Sequence, residues 1–178
     1  MSFLQWEKRQ TSAPRRQPVS EDAKFEDGSD RPIYIAAMDD GSLPIVSSLV
    51  QDAVFPITEM KFDRKAREFA LLLNRFRWED KARAEARGRP YERVQSVLRV
   101  GDVMGVATMG IDRSDADTIL SLLAMTWEEG EEGAGALTLT LAGDGAIRLE
   151  VECLDVVLKD VTRPYVAPSR KAPEHPEG

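Results

Sequence analysis

Residues 136–153, ALTLTLAGDGAIRLEVEC, decide how the rest of the chain is read. Leu137, Leu139 and Leu141 alternate with Thr138 and Thr140. Ile147, Leu149, Val151 and Cys153 alternate with Arg148, Glu150 and Glu152. Successive side chains of a strand point to opposite faces, so this period of two marks strands with one buried face and one wet face. Gly143-Asp144-Gly145 lies between them and supplies the backbone freedom of a hairpin turn. The pattern predicts a hairpin with Cys153 inward, where a thiol acts as a small hydrophobe rather than a nucleophile. No helix and no lysine follow the two glycines, so the stretch is neither a phosphate-binding loop nor a dinucleotide fingerprint.

Working outward, TILSLLAMTWEE (118–129) has strand length, and the four glutamates and three glycines of residues 128–135 form an acidic loop before the hairpin. YERVQSVLRV (91–100) and VMGVATMGI (103–111) flank Gly101-Asp102, a hairpin-like break. PIYIAAMD (32–39) is a short strand. A helix is expected over 43–54: Ser42 can cap it, Pro44 is tolerated in the first turn, and Pro56 stops it. Ile45, Val46, Leu49, Val50 and Ala53 form its apolar stripe. Residues 57–78 fit a helix or a hairpin, and the strand-rich context favours strands at 57–62 and 67–78 around a turn near Asp63–Ala66. Leu154, Val157, Leu158 and Val161 suit either a short closing helix or a bulged strand.

These elements predict an α+β fold. It is a mostly antiparallel, strongly bent sheet or partly open barrel of about seven strands packed on one main helix, with a strand number like that of a pleckstrin-homology-like barrel. Residues 1–30 are polar and aperiodic, which predicts a disordered arm. Residues 31–162 form a single globular domain. Pro164, Pro168, Pro173 and Pro176 make 163–178 an extended tail.

The composition excludes several chemistries. The 178 residues include one cysteine, Cys153, and one histidine, His175 in the proline-rich tail. A Cys/His zinc site needs about four such ligands, and a Ser-His-Asp machine needs a histidine held in the fold. The formal net charge of -7 disfavours binding to phosphate polymers. No signal-peptide core and no apolar run of membrane-spanning length stands out, which with the single thiol predicts a cytoplasmic location.

The richest stretch is NRFRWEDKARAEARGRPYERV (74–94). Arg75, Arg77, Lys81, Arg83, Arg87, Arg89 and Arg93 stand against Glu79, Asp80, Glu85 and Glu92, which is 7 minus 4, or +3, in an acidic chain. Phe76, Trp78 and Tyr91 are interleaved. Arginine forks beside aromatics suit anion recognition and protein interfaces. In strand geometry Phe76 and Trp78 anchor to the core, and Arg75 and Arg77 face solvent. Asn74, Arg75, Arg77, Trp78 and Arg93 are therefore the candidate binding residues. Asp112, Asp115 and Asp117 in GIDRSDAD are close enough to hold a hard cation, but their spacing is not that of an EF-hand, and aspartates equally favour turns.

Four blocks together resemble a family of uncharacterised alphaproteobacterial proteins, domain of unknown function 2948. They are LVQDAVFP (49–56), REFALLLNRFRWE (67–79), MGIDRSDADTILSLLAM (109–125) and LTLAGDGAIRLEVECLDVVLKD (139–160). The resemblance covers about residues 30 to 165 and implies no activity, cofactor or catalytic residue. The residues themselves point to a non-catalytic binding or interaction module using the Arg/aromatic surface around 74–93. Its partner would be a protein or a small anionic ligand, with no cofactor and no membrane. The alternatives are a carboxylate-based enzyme that uses a divalent metal around Asp112, Asp115 and Asp117, and a homo-oligomer joined through the exposed sheet face.

Overall fold

The computed structural model describes residues 31–174. The arm expected for 1–30 and His175 lie outside the described residues. Eleven strands are present among them: β1 (Tyr34–Ala37), β2 (Ala53–Pro56), β3 (Met60–Asp63), β4 (Glu68–Phe76), β5 (Glu92–Val100), β6 (Val103–Met109), β7 (Ile119–Glu129), β8 (Gly135–Leu141), β9 (Ala146–Val151), β10 (Val156–Asp160) and β11 (Tyr165–Val166). Two short α-helices, α1 (Leu43–Leu49) and α2 (Lys81–Arg87), and three 3₁₀ turns, Ile57–Glu59, Trp78–Asp80 and Glu131–Gly133, complete the regular structure among the described residues. All pairings are antiparallel.

The strands form one sheet in the order β1-β10-β5-β4-β2-β7-β8-β9-β6, with β11 on β5 and β3 on β4. Leu98 of β5, Leu71 of β4, Leu139 of β8, Ile147 of β9 and Leu158 of β10 belong to one buried cluster. Strands six places apart can share a core only if the sheet bends round it. The sheet does not close, because β6 ends the order and β3 pairs with β4 alone.

The hairpin at 136–153 forms as its alternation dictates. Leu137, Leu139, Leu141, Ile147, Leu149 and Val151 are all buried. The turn puts Gly143 at φ 76 and Asp144 at φ 62, and Leu141 N–H donates to the Gly145 carbonyl at 2.8 Å. Cys153 departs from the expectation: β9 stops at Val151 and the thiol is exposed, 3.2 Å from Asp102 Oδ2.

Further corrections concern strand number, the helix and one turn. Eleven strands replace seven, and two short helices replace one main helix. The stripe at 43–54 breaks at Leu49 because Ala53–Pro56 pairs with Ile119–Leu122 of β7, a tertiary demand that overrides local periodicity. Val46 and Val50 still reach the core, and Ser47 Oγ accepts from the Met125 N–H at 2.9 Å, fixing α1 against β7. Gly101-Asp102 is a corner, not a hairpin. β5 pairs with β4 and β10 while β6 pairs with β9. Gly101 N–H donates to the Asp155 carbonyl at 2.9 Å, and Val103 N–H to the Arg67 carbonyl at 2.9 Å. The open choice at 154–161 resolves as strand β10. Within the proline-rich segment, Tyr165–Val166 adds to β5 and Ala167 is buried.

Candidate functional site

Strand β4, which ends in Asn74-Arg75-Phe76, carries Phe69, Leu71 and Leu73 inward, and its alternation continues to Arg75. Arg75 is 0% exposed, opposite to the outward orientation expected for it. Ser96 of β5 and Asp160 of β10 continue the inward series of their own strands, and these two residues are direct cross-strand partners. The three polar side chains therefore meet at one end of the core. Arg75 Nε donates to Asp160 Oδ1 at 3.0 Å and to Ser96 Oγ at 3.2 Å, and Nη2 donates to Asp160 Oδ2 at 2.9 Å. Nη1 and Nη2 each donate to Glu79 at 2.9 Å, so two carboxylates occupy two sides of the guanidinium. Ser96 Oγ–H donates to Asp160 Oδ1 at 2.6 Å, and Ile33 N–H to Asp160 Oδ2 at 2.9 Å. Burial pushes the Asp160 carboxyl up, but these donors outweigh it and hold the group below its ordinary value. Burial also opposes the Arg75 charge, and the bonds to Glu79 and Asp160 more than restore it.

The cluster extends through a cap over this end. Arg77, 4% exposed, donates to Glu92 and lies 3.6 Å from Glu79 and 3.9 Å from Asp80. Arg89 Nη2 donates to both oxygens of the buried Asp80 at 2.9 Å. Helix α2 carries the chain away and ends at Gly88, φ 60, a left-handed C-cap that glycine adopts without Cβ strain. Trp78 Nε1–H donates to the Gln51 carbonyl at 2.9 Å, and its ring packs 4.7 Å from Phe76. Asn74 Oδ1 accepts from the Tyr165 hydroxyl, and Arg93 Nη1 donates to the Asn74 carbonyl at 3.2 Å. The five sequence-predicted residues thus gather around one end of the sheet, but Arg75 and Arg77 point inward and are ion-paired, and Trp78 is docked. Asn74 also borders a small cavity of about 160 Å³ with Val54, Pro56 and Gln95.

A different surface gathers cations with no acid among its lining residues. Where the sheet fails to close, β3 and β6 border a cavity of about 300 Å³. Met60, Phe62, Phe69 and Val106 supply its apolar part, and Lys61, Arg64, Thr108 and Arg113 its polar part. Arg64 stacks 5.9 Å from the Phe62 ring centroid. The carboxylate of Asp63, next along β3, accepts from the N–H groups of Ala66 and Lys65 in the hairpin turn, and these bonds, with a smaller attraction to Lys61, hold it below its ordinary value. Among the described residues, no carboxylate forms an ion pair with Lys61, Arg64 or Arg113, whereas Arg67, Arg75, Arg77, Arg89, Arg99 and Arg148 all have one. Sequence reasoning missed this cleft because its three cations are spread over 53 positions, from 61 to 113. The readable signal was the Lys61-Phe62-x-Arg64 spacing on a strand end.

The aspartates at 112–117 behave as turn formers. Asp112 Oδ1 accepts from Ser114 N–H at 2.9 Å and from its hydroxyl at 2.6 Å, and Asp115 Oδ1 accepts from Asp117 N–H at 2.9 Å. Among the described residues no group of three His, Cys, Asp or Glu side chains is arranged to hold a metal ion. No helix among them is long and apolar enough to cross a membrane.

The family model described as Protein of unknown function (DUF2948) matches residues 33–175. The chain belongs to this family. The DUF2948 match begins just before β1 and runs past β11, so the whole sheet, the buried arginine cluster and the cleft lie within it. No curated protein and no solved structure matches the chain.

Proposed function

We propose that this DUF2948 chain is a non-catalytic binding module that takes an anionic group into the cleft between β3 and β6. One observation carries the reading: three cations without ion-pair partners surround an apolar-floored cavity in a protein whose net charge is -7. An arginine fork gives a carboxylate or phosphate two parallel hydrogen bonds, and apolar walls strengthen those bonds by excluding water. The Arg/aromatic stretch at 74–93 supports this module as a rigid end, in which Arg75, Arg77 and Arg89 are ion-paired, rather than as the contact surface.

Calorimetric titration with citrate and with inorganic phosphate tests the reading. Binding is expected for the parent chain and about tenfold weaker binding for Arg64→Ala/Arg113→Ala, a loss of about 1.4 kcal/mol. Equal affinity in both proteins, or no heat with either anion, overturns it.

A further inference from the structure

The cleft is bordered by two strand edges that lack partners. β6 ends the strand order, and only its β9 side is paired. β3 pairs with β4 alone. An unpaired edge presents backbone N–H and C=O groups to any extended chain that reaches it. Proteins usually blunt such edges with proline, lysine or an inward charge. β6 reads VMGVATM and has none of these, and its one irregularity, a register shift between Val103 and Gly105, lies at the end already bonded to Arg67. Gly105 sits within the strand, and a Cβ built there meets no atom within 4 Å, so its face of the sheet is open at that point. Met104 and Met109, 60% and 66% exposed, are adaptable apolar contacts on the same strand.

We infer that the anionic group belongs to an extended acidic peptide segment of a partner protein, which adds as a strand to the free edge of β6. The inference rests on the anion-binding reading above and names its occupant. Strand addition draws affinity from main-chain hydrogen bonds and specificity from alternate side chains. Here alternate acidic side chains meet Lys61, Arg64 and Arg113, and the side chains between them meet the apolar wall of Phe62 and Val106. The Arg67–Val103 backbone bond pins one end of the seam, so the segment enters from the Arg113 end. The six residues Met104–Met109 beyond that bond accommodate a partner strand of about 20 Å at ~3.3 Å per residue. Charge selects the occupant. A second copy pairing edge to edge by two-fold symmetry would set these cations against their own equivalents. A phosphate polymer would meet the chain's net charge of -7 beyond the cleft.

The test uses the full chain and a fluorescent decapeptide of alternating glutamate and valine, read by anisotropy. Two control peptides accompany it: one with lysine in place of glutamate, and one with alternate backbone nitrogens methylated, which removes strand donors but keeps the charge. The parent peptide is expected to bind. Binding should weaken about tenfold on N-methylation and about tenfold in Arg64→Ala/Arg113→Ala, and fail with the lysine peptide. Amide exchange of Val103–Met109 should slow in the complex. If the methylated peptide binds as well as the parent and β6 exchange is unchanged, strand addition is overturned while the anion reading stands. If citrate binds and no peptide does, the inference fails alone. If the chain self-associates in proportion to peptide-free concentration, and Arg64→Ala/Arg113→Ala strengthens that association, the occupant is a second copy and the inference is wrong. If neither citrate nor peptide binds, both readings fall.

Discussion

Arg75 and Arg113 carry the same charge and stand in opposite circumstances. Arg75 is wholly buried between Asp160 and Glu79, while Arg113 is exposed at the rim of the cleft with no ion-pair partner among the described residues. The cluster at 74–93 looks cationic in sequence, but in space Arg75, Arg77 and Arg89 are ion-paired, by Glu79, Asp80 and Glu92 within the stretch and by Asp160, 85 positions after Arg75. The cleft looks unremarkable in sequence, yet none of Lys61, Arg64 and Arg113 forms an ion pair among the described residues. Arginine count along a chain therefore says little about which charge is available. That depends on whether a carboxylate lies within reach after folding.

The sharpest way to break this contrast is Arg75→Ala. Removing the cation leaves Asp160 buried and unpaired, which costs about 3–5 kcal/mol where a buried pair is broken. Urea unfolding measures it, and a loss below about 1 kcal/mol would mean that water already compensates the cluster. Acid is the next lever. A carboxyl group whose folded value is depressed stabilises the fold above its unfolded value of about 3.9 and loses that contribution as pH falls through the folded value. Asp160 is such a group, so stability should fall as pH drops below about 4. Asp160→Asn should be less stable at neutral pH and show a shallower fall there; an unchanged slope would remove Asp160 from the account.

The fold was largely legible because alternation is a local signal. It placed Leu137 to Val151 correctly, and it also placed Arg75, which shares phase with Phe69, Leu71 and Leu73. Reading Arg75 outward meant abandoning that phase on the assumption that a charge belongs in water. Ser96 and Asp160 carried the matching signal, polar residues in core phase on β5 and β10, but their pairing is a long-range fact. Cys153 failed for the converse reason: alternation cannot show that a strand has ended two residues earlier. The corner at Gly101 and the pairing of β6 with β9 depend on topology, so the Lys61-Phe62-x-Arg64 spacing marked only the β3 side of the cleft.

Two intermediate effects sharpen the picture of the buried end. Ser96→Ala removes the hydroxyl that donates to Asp160 and accepts from Arg75 Nε, a loss expected at about 1–3 kcal/mol for buried groups left unsatisfied. Chemical denaturation of Ser96→Ala alone and together with Arg75→Ala should give less than the sum of the two losses, because both substitutions disturb Asp160. Simple additivity would show that the serine acts elsewhere. Gly88→Ala isolates backbone conformation from space. A Cβ there meets nothing within 4 Å, so the expected cost of about 1–2 kcal/mol comes from the left-handed φ of 60 alone. A neutral result would mean that the α2 cap shifts to another ending.

The smallest effect is expected at the cleft, and its smallness is the informative part. Arg113 is exposed and has no carboxylate partner, so Arg113→Ala should stay within the roughly 0.5 kcal/mol typical of surface substitutions. Its sign should be favourable at low salt, because Lys61, Arg64 and Arg113 border one cavity and like charges repel. Salt near 1 M shortens the screening length to about 3 Å and should erase that gain. Urea midpoints at low and high salt therefore separate the two arginine environments. Arg75→Ala should remain costly in both conditions because its partners are buried, and Arg113→Ala should be near neutral with a salt-sensitive sign. A salt-independent loss above about 1 kcal/mol at Arg113 would mean that the arginine already has a structural partner, and the cleft would no longer differ in kind from the buried cluster.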